Sequence, residues 1–595
     1  MSLRKHHHNP NRQHDDSGWT KVWCVCGLIA SWIAGVVTIG AGAFSLYREA
    51  RDGGATQILM SHTWRELLPL GLNLAVTLLN DCMGYIHTCS LRWSLHREGK
   101  LDFNSNLRLL TAAKHSRPNR AIPNVLYLAG IIFSYGSTSL IFLSLNPELA
   151  RLLGKSYDRN DADGVHANGV ALLFLGIGFV LQAAITTWAL LETNIPTWSS
   201  NPLAVARACT EDENDGHRLV PRVGRCMMGV HLHAEQTPRA LKPRLHQSPM
   251  ISAHHHVVRI LMLLWSLPIL GAIWGGSVYA YLVRGSRNGV YGRSWSLLPI
   301  FTGKTDTNCK TRQCTDGTSV LNMGWSAQGP AGTLGGVLVI TIIQSIVTLA
   351  LHCAELIVNL SRDEKVFREL IGPRGTNPRY SSIVAALTSW QTLFLFGLKA
   401  GVHWMFGLAI NMQFQLGVNM HPPQIFYFAV FSLVAAILGL ALSMWRPSGK
   451  LPPSYGHLQT IVDIIDDWGD SGCMFWGVKD QGDTENPGYT GTNPRALLQP
   501  DVRQLYGGQR DTAHMGHSGN QGHEFSGGFN TTFSPQTPAN VSAPDVHWDW
   551  TQPQHPPGFR HHQSISSINS GFSEYSRTSW HSTQSTQPFL ENPRW

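Results

Sequence analysis

The sequence has little charge and few cysteines for its length. Charged residues make up 14% of the 595 residues, whereas soluble globular domains carry about 25%. Ten cysteines are too few for a scaffold held together by disulfides. Hydrophobic residues reach 43%, yet the mean hydropathy is only −0.08, so the apolar residues must be concentrated in blocks. Such blocks exclude a single soluble enzyme domain and indicate membrane spans joined by polar segments.

Common catalytic and nucleotide-binding motifs are also missing. The sequence contains no P-loop, no Rossmann glycine pattern and no nucleophile elbow, so we predict neither an enzyme nor a bound cofactor. The formal charge of +8 comes from basic residues beside the apolar blocks, which favours cytoplasmic loops over nucleic-acid binding. No apolar signal region with a cleavage site precedes the first block, which is therefore expected to act as an uncleaved signal anchor.

Eight blocks are long enough to cross a bilayer, which takes about 20 apolar residues. They comprise residues 22–47, 64–91, 122–145, 169–191, 257–282, 335–360, 383–410 and 425–444. We therefore predict an all-α membrane helix bundle with eight spans over residues 22–445, in contact with the lipid bilayer. Residues 1–21 are predicted to be a disordered cytoplasmic N-terminus.

The lysine and arginine residues between the blocks predict the orientation. The N-terminus and the even-numbered loops hold 23 of them and the odd-numbered loops hold 11. Because basic loops stay in the cytoplasm, both termini should be cytoplasmic, in the plasma membrane or an endomembrane. The fifth loop then faces an oxidising compartment, where Cys309 and Cys314 are expected to form a disulfide. The alternative is two free thiols in a flexible loop.

Two different segments follow the last block. Residues 456–468 place apolar side chains at helical spacing opposite Asp463, Asp466 and Asp467, which predicts a short amphipathic cytoplasmic helix. Its acidic face argues against binding to anionic lipid and favours packing against the protein's own loops. Residues 469–595 are rich in Gly, Ser, Thr, Gln, Pro and His and are predicted to be a disordered, low-complexity tail.

Polar residues inside the second, sixth and seventh blocks fall on helical stripes. Ionisable residues in a span are costly and normally face the bundle interior, so we predict that these three helices turn their stripes toward one another. The predicted intramembrane polar network consists of Asn73, Asn80, Asp81, His87, His352, Glu355, Lys399 and His403.

Depth along the helices selects the pairs within this network. With a rise of ~1.5 Å per residue, Asp81 and His352 lie at similar depths, and the long side chain of Lys399 can bend toward them. The same rise separates Glu355 from Lys399 by about 15 Å, too far for a direct pair. We therefore predict a buried Asp81–Lys399 pair with His352 beside it, and place Glu355 and His87 in contact with water.

Three interpretations of the network remain open. It can serve only as interhelical hydrogen bonding, or it can line a water-filled pathway or ligand site. The third interpretation is a metal or acid–base site formed by Asp81, His87, His352, Glu355 and His403, although no standard spacing of metal ligands is present and we predict no bound metal. Two functional hypotheses follow: a transport- or sensor-like protein that uses the network, or a structural, scaffolding protein whose cytoplasmic tail recruits protein partners.

Four stretches of the sequence carry a resemblance to a known family. They are LNDCMGYIHTCSLRWSLHREGKLDFNSNLRLL (79–110), WSSNPL (198–203), KAGVHWMFGLAI (399–410) and GHLQTIVDIIDDW (456–468). In these stretches the chain resembles a family of functionally uncharacterised multi-pass membrane proteins of filamentous fungi. The resemblance implies an integral membrane protein and supplies no activity, ligand or catalytic residue.

Cysteine-accessibility labelling of intact cells tests the predicted orientation. We expect a membrane-impermeant maleimide to label a cysteine introduced near Ser319 in the fifth loop, because that loop should lie outside. A cysteine introduced near Asn104 in the second loop should react only after permeabilisation. Labelling of the second loop in intact cells would reverse the orientation.

Overall fold

The computed structural model describes residues 18–52, 57–60, 62–144, 163–212, 217–285, 295–298, 321–323, 330–377, 388–413, 417–469 and 473–508. All of them belong to one compact unit, Met1–Gly516, and the second unit, His517–Trp595, lies outside the described residues. The helices are α1 (Gly18–Asp52), α2 (His62–His96), α3 (Ala121–Thr138), α4 (Gly169–Glu192), α5 (Pro202–Glu211), α6 (His256–Gly285), α7 (Pro330–Arg368), α8 (Trp390–Ala409), α9 (Pro422–Met444) and α10 (Leu458–Ile464).

Seven of the described helices are long and apolar enough to cross a membrane: α1, α2, α4, α6, α7, α8 and α9. They confirm the predicted membrane helix bundle. The block predicted over residues 122–145 differs, because α3 ends at Thr138 and the chain continues into a short strand, Phe142–Ser144. The helix α3, with 18 residues, is therefore shorter than predicted and is not one of the seven.

A six-stranded sheet gathers at one end of the bundle. Its strands are β1 (Gln57–Met60), β2 (Phe142–Ser144), β3 (Asp163–Ala167), β4 (Leu321–Met323), β5 (Ile410–Gln413) and β6 (Gly417–Met420), in the order β1-β3-β2-β5-β6-β4. The strands come from the connections that follow α1, α3, α6 and α8. The sequence did not predict this sheet, because strands of three to five residues are too short to give a periodic pattern.

The opposite end carries a second folded part, which we call the loop layer and define as residues 97–120, 193–212, 217–255, 369–377, 445–469 and 473–508. It contains α5, α10 and the hairpin of β7 (Phe475–Asp480) and β8 (Tyr489–Asn493) around a hydrophobic cluster of its own. The helix α3 begins after residues 97–120 and ends at the sheet, so it passes through the bundle. Eight helices therefore connect the two ends, including α3.

The short helix α10 corrects the predicted amphipathic helix over residues 456–468. It covers only Leu458–Ile464, where the apolar side chains and the one acidic residue, Asp463, are buried. Asp466 and Asp467 follow the helix and are half-buried. The Asp463 carboxylate accepts hydrogen bonds from the Arg222 backbone N–H at 2.9 Å and from Arg222 Nε at 3.0 Å. The predicted packing against other loops of the chain is confirmed, but the acidic face is part of that contact rather than an exposed surface.

Part of the predicted disordered tail is folded. Residues 473–508 form the β7–β8 hairpin and bury Met474, Trp476 and Tyr506. Asp466 fastens the hairpin, because its carboxylate accepts from the Thr492 backbone N–H at 2.7 Å and from Lys479 Nζ at 2.7 Å. The prediction of disorder rested on the average composition of the whole tail. Within it, two short segments contain the aromatic and β-branched residues that favour strands. Residues 509–595 lie outside the described residues, as do 1–17 and the cysteines Cys309 and Cys314.

Small residues allow α1 to approach α4 closely. A Cβ atom on Gly176 would lie 2.8 Å from the Gly35 carbonyl oxygen, and one on Gly42 would lie 2.8 Å from the Gly169 carbonyl oxygen. Ser31 and Ser45 on the same face of α1 are buried. The other face exposes large apolar side chains such as Trp23 and Ile33, as expected for a helix that faces lipid.

A buried histidine marks the start of α6 in the loop layer. The imidazole of His254 contacts the Phe103 ring, with 4.4 Å between centroids, and its Nδ1 accepts from the His256 backbone N–H at 3.2 Å. Burial, followed by the neighbouring His255 and His256, lowers the pKa of His254 to about 4. The folded protein therefore holds His254 in its neutral form at neutral pH.

Acidification should destabilise the fold through His254. Because its pKa is about 4 in the folded state and near 6.5 when unfolded, the unfolded chain binds the extra proton between these values. We expect the free energy of unfolding to fall by up to roughly 3 kcal/mol between pH 6.5 and 4. In denaturant titrations of the purified protein, His254→Asn, which keeps an acceptor for the His256 N–H, should reduce this pH dependence. The exposed neighbour His255 provides the control. If His255→Asn reduced the pH dependence of the free energy of unfolding as much as His254→Asn does, the assignment to His254 would be wrong.

Candidate functional site

A lysine lies in the middle of the bundle between two carboxylates. The hydroxyl of Ser389 caps the N-terminus of α8, and Lys399 stands at the midpoint of that helix. Its Nζ donates to Asp81 Oδ1 of α2 at 2.9 Å and to Glu355 Oε1 of α7 at 2.5 Å. The structure thus brings Asp81 and Lys399 together as the sequence predicts.

The direct contact between Glu355 and Lys399 shows that the predicted separation of these two residues along the helix axes was wrong. The block used for that argument began at residue 383, whereas α8 begins at Trp390. Lys399 is therefore nearer the middle of its helix than predicted, and its four-methylene side chain covers the remaining distance to Glu355. Glu355 is therefore a direct partner of the lysine. His87, which the sequence placed in contact with water, is instead fully buried and stacks on the Tyr127 ring.

Two histidines extend the site toward the sheet. His352 Nδ1 lies 2.8 Å from Glu355 Oε1, one turn earlier on α7. His403, one turn after Lys399, has its Nδ1 2.9 Å from Gln344 Nε2 and stacks on the Tyr135 ring with 4.1 Å between centroids. The α7 and α8 stripes therefore do face each other, and Tyr135 of α3 closes the space between them.

The predicted network divides in two at α2. Asp81 faces α8, but Asn73 and Asn80 face α3 and α4 instead. Asn80 Nδ2 donates to Ser134 Oγ at 3.0 Å, and Asn73 Oδ1 accepts from Thr138 Oγ1 at 2.9 Å. These two asparagines therefore fasten α2 to α3 and are not part of the charged site. The reason is that residues 80 and 81 lie about 100° apart around the helix.

An arginine from the loop layer completes the charged site. The side chain of Arg108 is only 7% exposed, and its Nη2 lies 3.7 Å from Glu355 Oε2. It also lies over the Tyr127 ring, 5.5 Å from the centroid, and that ring stacks on His87. We call Asp81, Glu355, Lys399, Arg108 and His352 the central network. Two positive and two negative side chains balance its charge when His352 is neutral.

The acidic members of the central network are more exposed than the lysine. The side chains of Asp81 and Glu355 are 36% and 25% exposed, whereas Lys399 is 3% exposed. A carboxylate open to hydrocarbon over a third of its surface would be strongly unfavourable. We therefore expect this side of the central network to face water rather than hydrocarbon.

Several buried polar atoms between the central network and the sheet lack a hydrogen-bond partner within the described residues. They are His352 Nε2, His403 Nε2, Gln344 Oε1, Thr341 Oγ1 and Ser139 Oγ. Buried polar atoms are nearly always paired, with protein or with ordered water. Four of these atoms lie along α7 and α8 and the fifth follows α3, and we expect ordered water to satisfy them.

Sequence reasoning missed Arg108, Gln344, Tyr127 and Tyr135. For α3 a signal existed, because Asn124, Tyr127, Ser134 and Thr138 recur at helical spacing on the face that the structure buries. For Arg108 no such signal exists, because it enters the bundle from an irregular loop. Within the described residues no group of three or more His, Cys, Asp or Glu side chains has the geometry to hold a metal ion.

Replacement of Lys399 tests how the central network is coupled. Lys399→Met strands two carboxylates and should lower the free energy of unfolding by about 3–5 kcal/mol. Asp81→Asn should lower it by only about 1 kcal/mol, because Asp81 is partly exposed and Lys399 keeps Glu355. The double variant should be more stable than Lys399→Met alone, because Asp81 is then no longer an unpaired charge. Unfolding titrations in detergent measure all three, and strictly additive losses would show that the two residues act independently.

No protein family model, no curated protein and no solved structure matches the chain. The resemblance to the fungal membrane proteins stays a prediction from the sequence.

Proposed function

We propose that the protein is a transport- or sensor-like membrane protein that binds and moves protons through the central network. The observation that carries the proposal is the position of Lys399 Nζ, held by carboxylates of two other helices at 2.9 and 2.5 Å. Protonation of either carboxylate weakens its attraction to the lysine, so the arrangement of α2, α7 and α8 depends on proton occupancy. Structural hydrogen bonding alone needs no such balanced charges.

The order of the polar groups along the helices supports a path across the bundle. Arg108 and Glu355 lie on the side of the loop layer, Lys399 lies centrally, and His403 and Gln344 follow toward the sheet. The unpaired nitrogens of His352 and His403 are buried between these groups. Imidazole nitrogens joined by water can accept a proton on one side and release it on the other. Such a relay connects the water-accessible carboxylates to the opposite end of the bundle.

We also propose an orientation of the protein in the membrane. The loop layer and the N-terminus contain the larger share of lysine and arginine, so we place the loop layer and both termini in the cytoplasm. Glu355 and Asp81 then take protons from the cytoplasmic side. We keep the recruitment of cytoplasmic protein partners by the tail as an additional role, to which the central network does not contribute.

Proton flux into proteoliposomes tests the proposed function. With the full-length protein in vesicles that contain a pH-sensitive dye, a potassium diffusion potential should drive a proton flux. Lys399→Met should reduce that flux by about tenfold or more, because the charge balance at the centre is lost, corresponding to at least about 1.4 kcal/mol. Lys365→Met, a change of the same size at an exposed position on α7, should keep the wild-type flux.

Two outcomes contradict the proposal. One is a flux through the wild-type protein equal to that of empty vesicles, and the other is an unchanged flux in Lys399→Met. If Lys399→Met does not fold, His352→Gln decides, because it keeps a polar group beside Glu355 but cannot carry a proton at neutral pH. A scaffolding protein would show no flux and would bind its partners equally well in all variants.

A further inference from the structure

The guanidinium of Arg108 is buried with few partners. Gly84 of α2 makes room for it, because a Cβ atom at that position would collide with Arg108 Nη1. Its one ion pair within the described residues is the contact to Glu355 Oε2 at 3.7 Å, which is too long for a hydrogen bond. A guanidinium has five N–H donors, and burial without acceptors is unfavourable. Within the described residues no acceptor lies at hydrogen-bond distance from the guanidinium, so water or a bound ligand must supply one.

The two oxygens of Glu355 have different partners. Oε1 is bound by Lys399 Nζ at 2.5 Å and by His352 Nδ1 at 2.8 Å, whereas Oε2 has only the distant guanidinium. A proton on Oε2 would remove the attraction to Arg108 while Lys399 and His352 still hold the other oxygen. Arg108 would then be an unpaired buried cation with all its donors free.

Other polar groups beside Arg108 also lack partners. Both ring nitrogens of His87 and the hydroxyl of Tyr127 are fully buried without a partner at hydrogen-bonding geometry in the described part of the chain. The two rings stack at 4.6 Å, and the guanidinium lies over the Tyr127 ring. The surroundings of Arg108 thus offer aromatic surface together with polar atoms that have no hydrogen-bond partner at good geometry, the two kinds of contact that a small organic anion can use.

We propose that Arg108 binds the carboxylate of a small monocarboxylate anion beside Glu355, and that this anion replaces Glu355 as the counter-charge of the guanidinium when Glu355 is protonated. The inference rests on the proposed function and names its substrate class. The guanidinium donates two parallel N–H bonds to the two carboxylate oxygens, the geometry in which arginine binds carboxylates best. The proton resides on Glu355 Oε2, and no covalent bond of the ligand changes.

Charge balance selects the class of ligand. Before binding, Arg108 and Lys399 are balanced by Asp81 and Glu355. After binding, the same two cations are balanced by Asp81 and the ligand carboxylate, because Glu355 is neutral. One proton and one monovalent anion therefore enter together without changing the net charge of the buried site. A dianion would leave one uncompensated charge in the bundle, which is strongly unfavourable.

Binding of acetate to the purified full-length protein tests the inference. Isothermal titration calorimetry in detergent, with sodium chloride at matched ionic strength, should show saturable binding of acetate and none of chloride. Because one proton is taken up with each anion, acetate should bind more tightly at pH 5.5 than at pH 7.5, by up to about tenfold per pH unit. Inorganic phosphate at pH 7.5, largely a dianion, should bind at least about tenfold more weakly than acetate.

Three variants locate the site. Arg108→Gln should abolish acetate binding, whereas Arg120→Gln, the same change at an exposed position of the same loop, should leave it unchanged. Gly84→Ala keeps every charge but occupies the space of the guanidinium, so it should weaken acetate binding by about tenfold or more, a change of about 1.4 kcal/mol. If Arg108→Gln fails to fold, Gly84→Ala decides, because the flexible arginine can move aside without breaking the helix contact.

The results separate this inference from the proposed function. Equal acetate binding in the wild type, Arg108→Gln and Gly84→Ala, or no acetate binding by the wild type, overturns the monocarboxylate site. Proton flux that still depends on Lys399 would in that case leave the proposed function intact. Acetate binding that depends on Arg108, in a protein without proton flux, would support the site while the proposed proton movement fails.

Discussion

The charge of Lys399 is the constraint around which the bundle is arranged. An ammonium group at the middle of a membrane-spanning helix is stable only with counter-charges within reach. Asp81 and Glu355 supply them from two other helices, so three helices must keep fixed depths and rotations relative to one another. The apolar surfaces of these helices could pack in many registers. The ion pairs are compatible with very few of these registers. Buried charges can in this way select one arrangement of helices over others.

The loop layer takes part in this arrangement through α7. Asp363, two turns after Glu355, accepts from Asn104 Nδ2 at 2.9 Å and from Ser105 Oγ at 3.3 Å. Those residues belong to the segment that carries Arg108 into the bundle. One helix thus presents Glu355 to the lysine and also fixes the loop whose arginine faces the same carboxylate. The next residue, Glu364, receives the backbone N–H groups of Ser454 and Tyr455, which holds the chain just before α10.

The sequence predicted the bundle because apolar blocks of about 20 residues have few alternatives. It also predicted the contact between Asp81 and Lys399, because unpaired charges in a span need partners. The sequence did not predict the features that leave no pattern among neighbouring residues. The start of α8 depends on a cap at Ser389 and not on hydropathy, and an error of a few residues there was enough to separate Glu355 from Lys399. The loop layer and the sheet depend on contacts between segments hundreds of residues apart, such as Arg222 with Asp463, which a local pattern does not register.

The sheet has one weak junction. Strands β2 and β5 meet through a single parallel pair, Ser144 with Gln413, whereas every other neighbouring pair of strands is antiparallel over at least three residues. On one side of this junction lie the strands that connect α1 to α4, and on the other side those that connect α6 to α9. Main-chain pairing between these two groups of four helices is thus limited, at this end, to one pair of strands. Side-chain contacts such as Lys399 with Asp81 and Gln344 Nε2 with the Tyr135 carbonyl oxygen join the groups inside the bundle. The identity of a few buried polar side chains, more than the pairing of strands, therefore connects one half of the helices to the other.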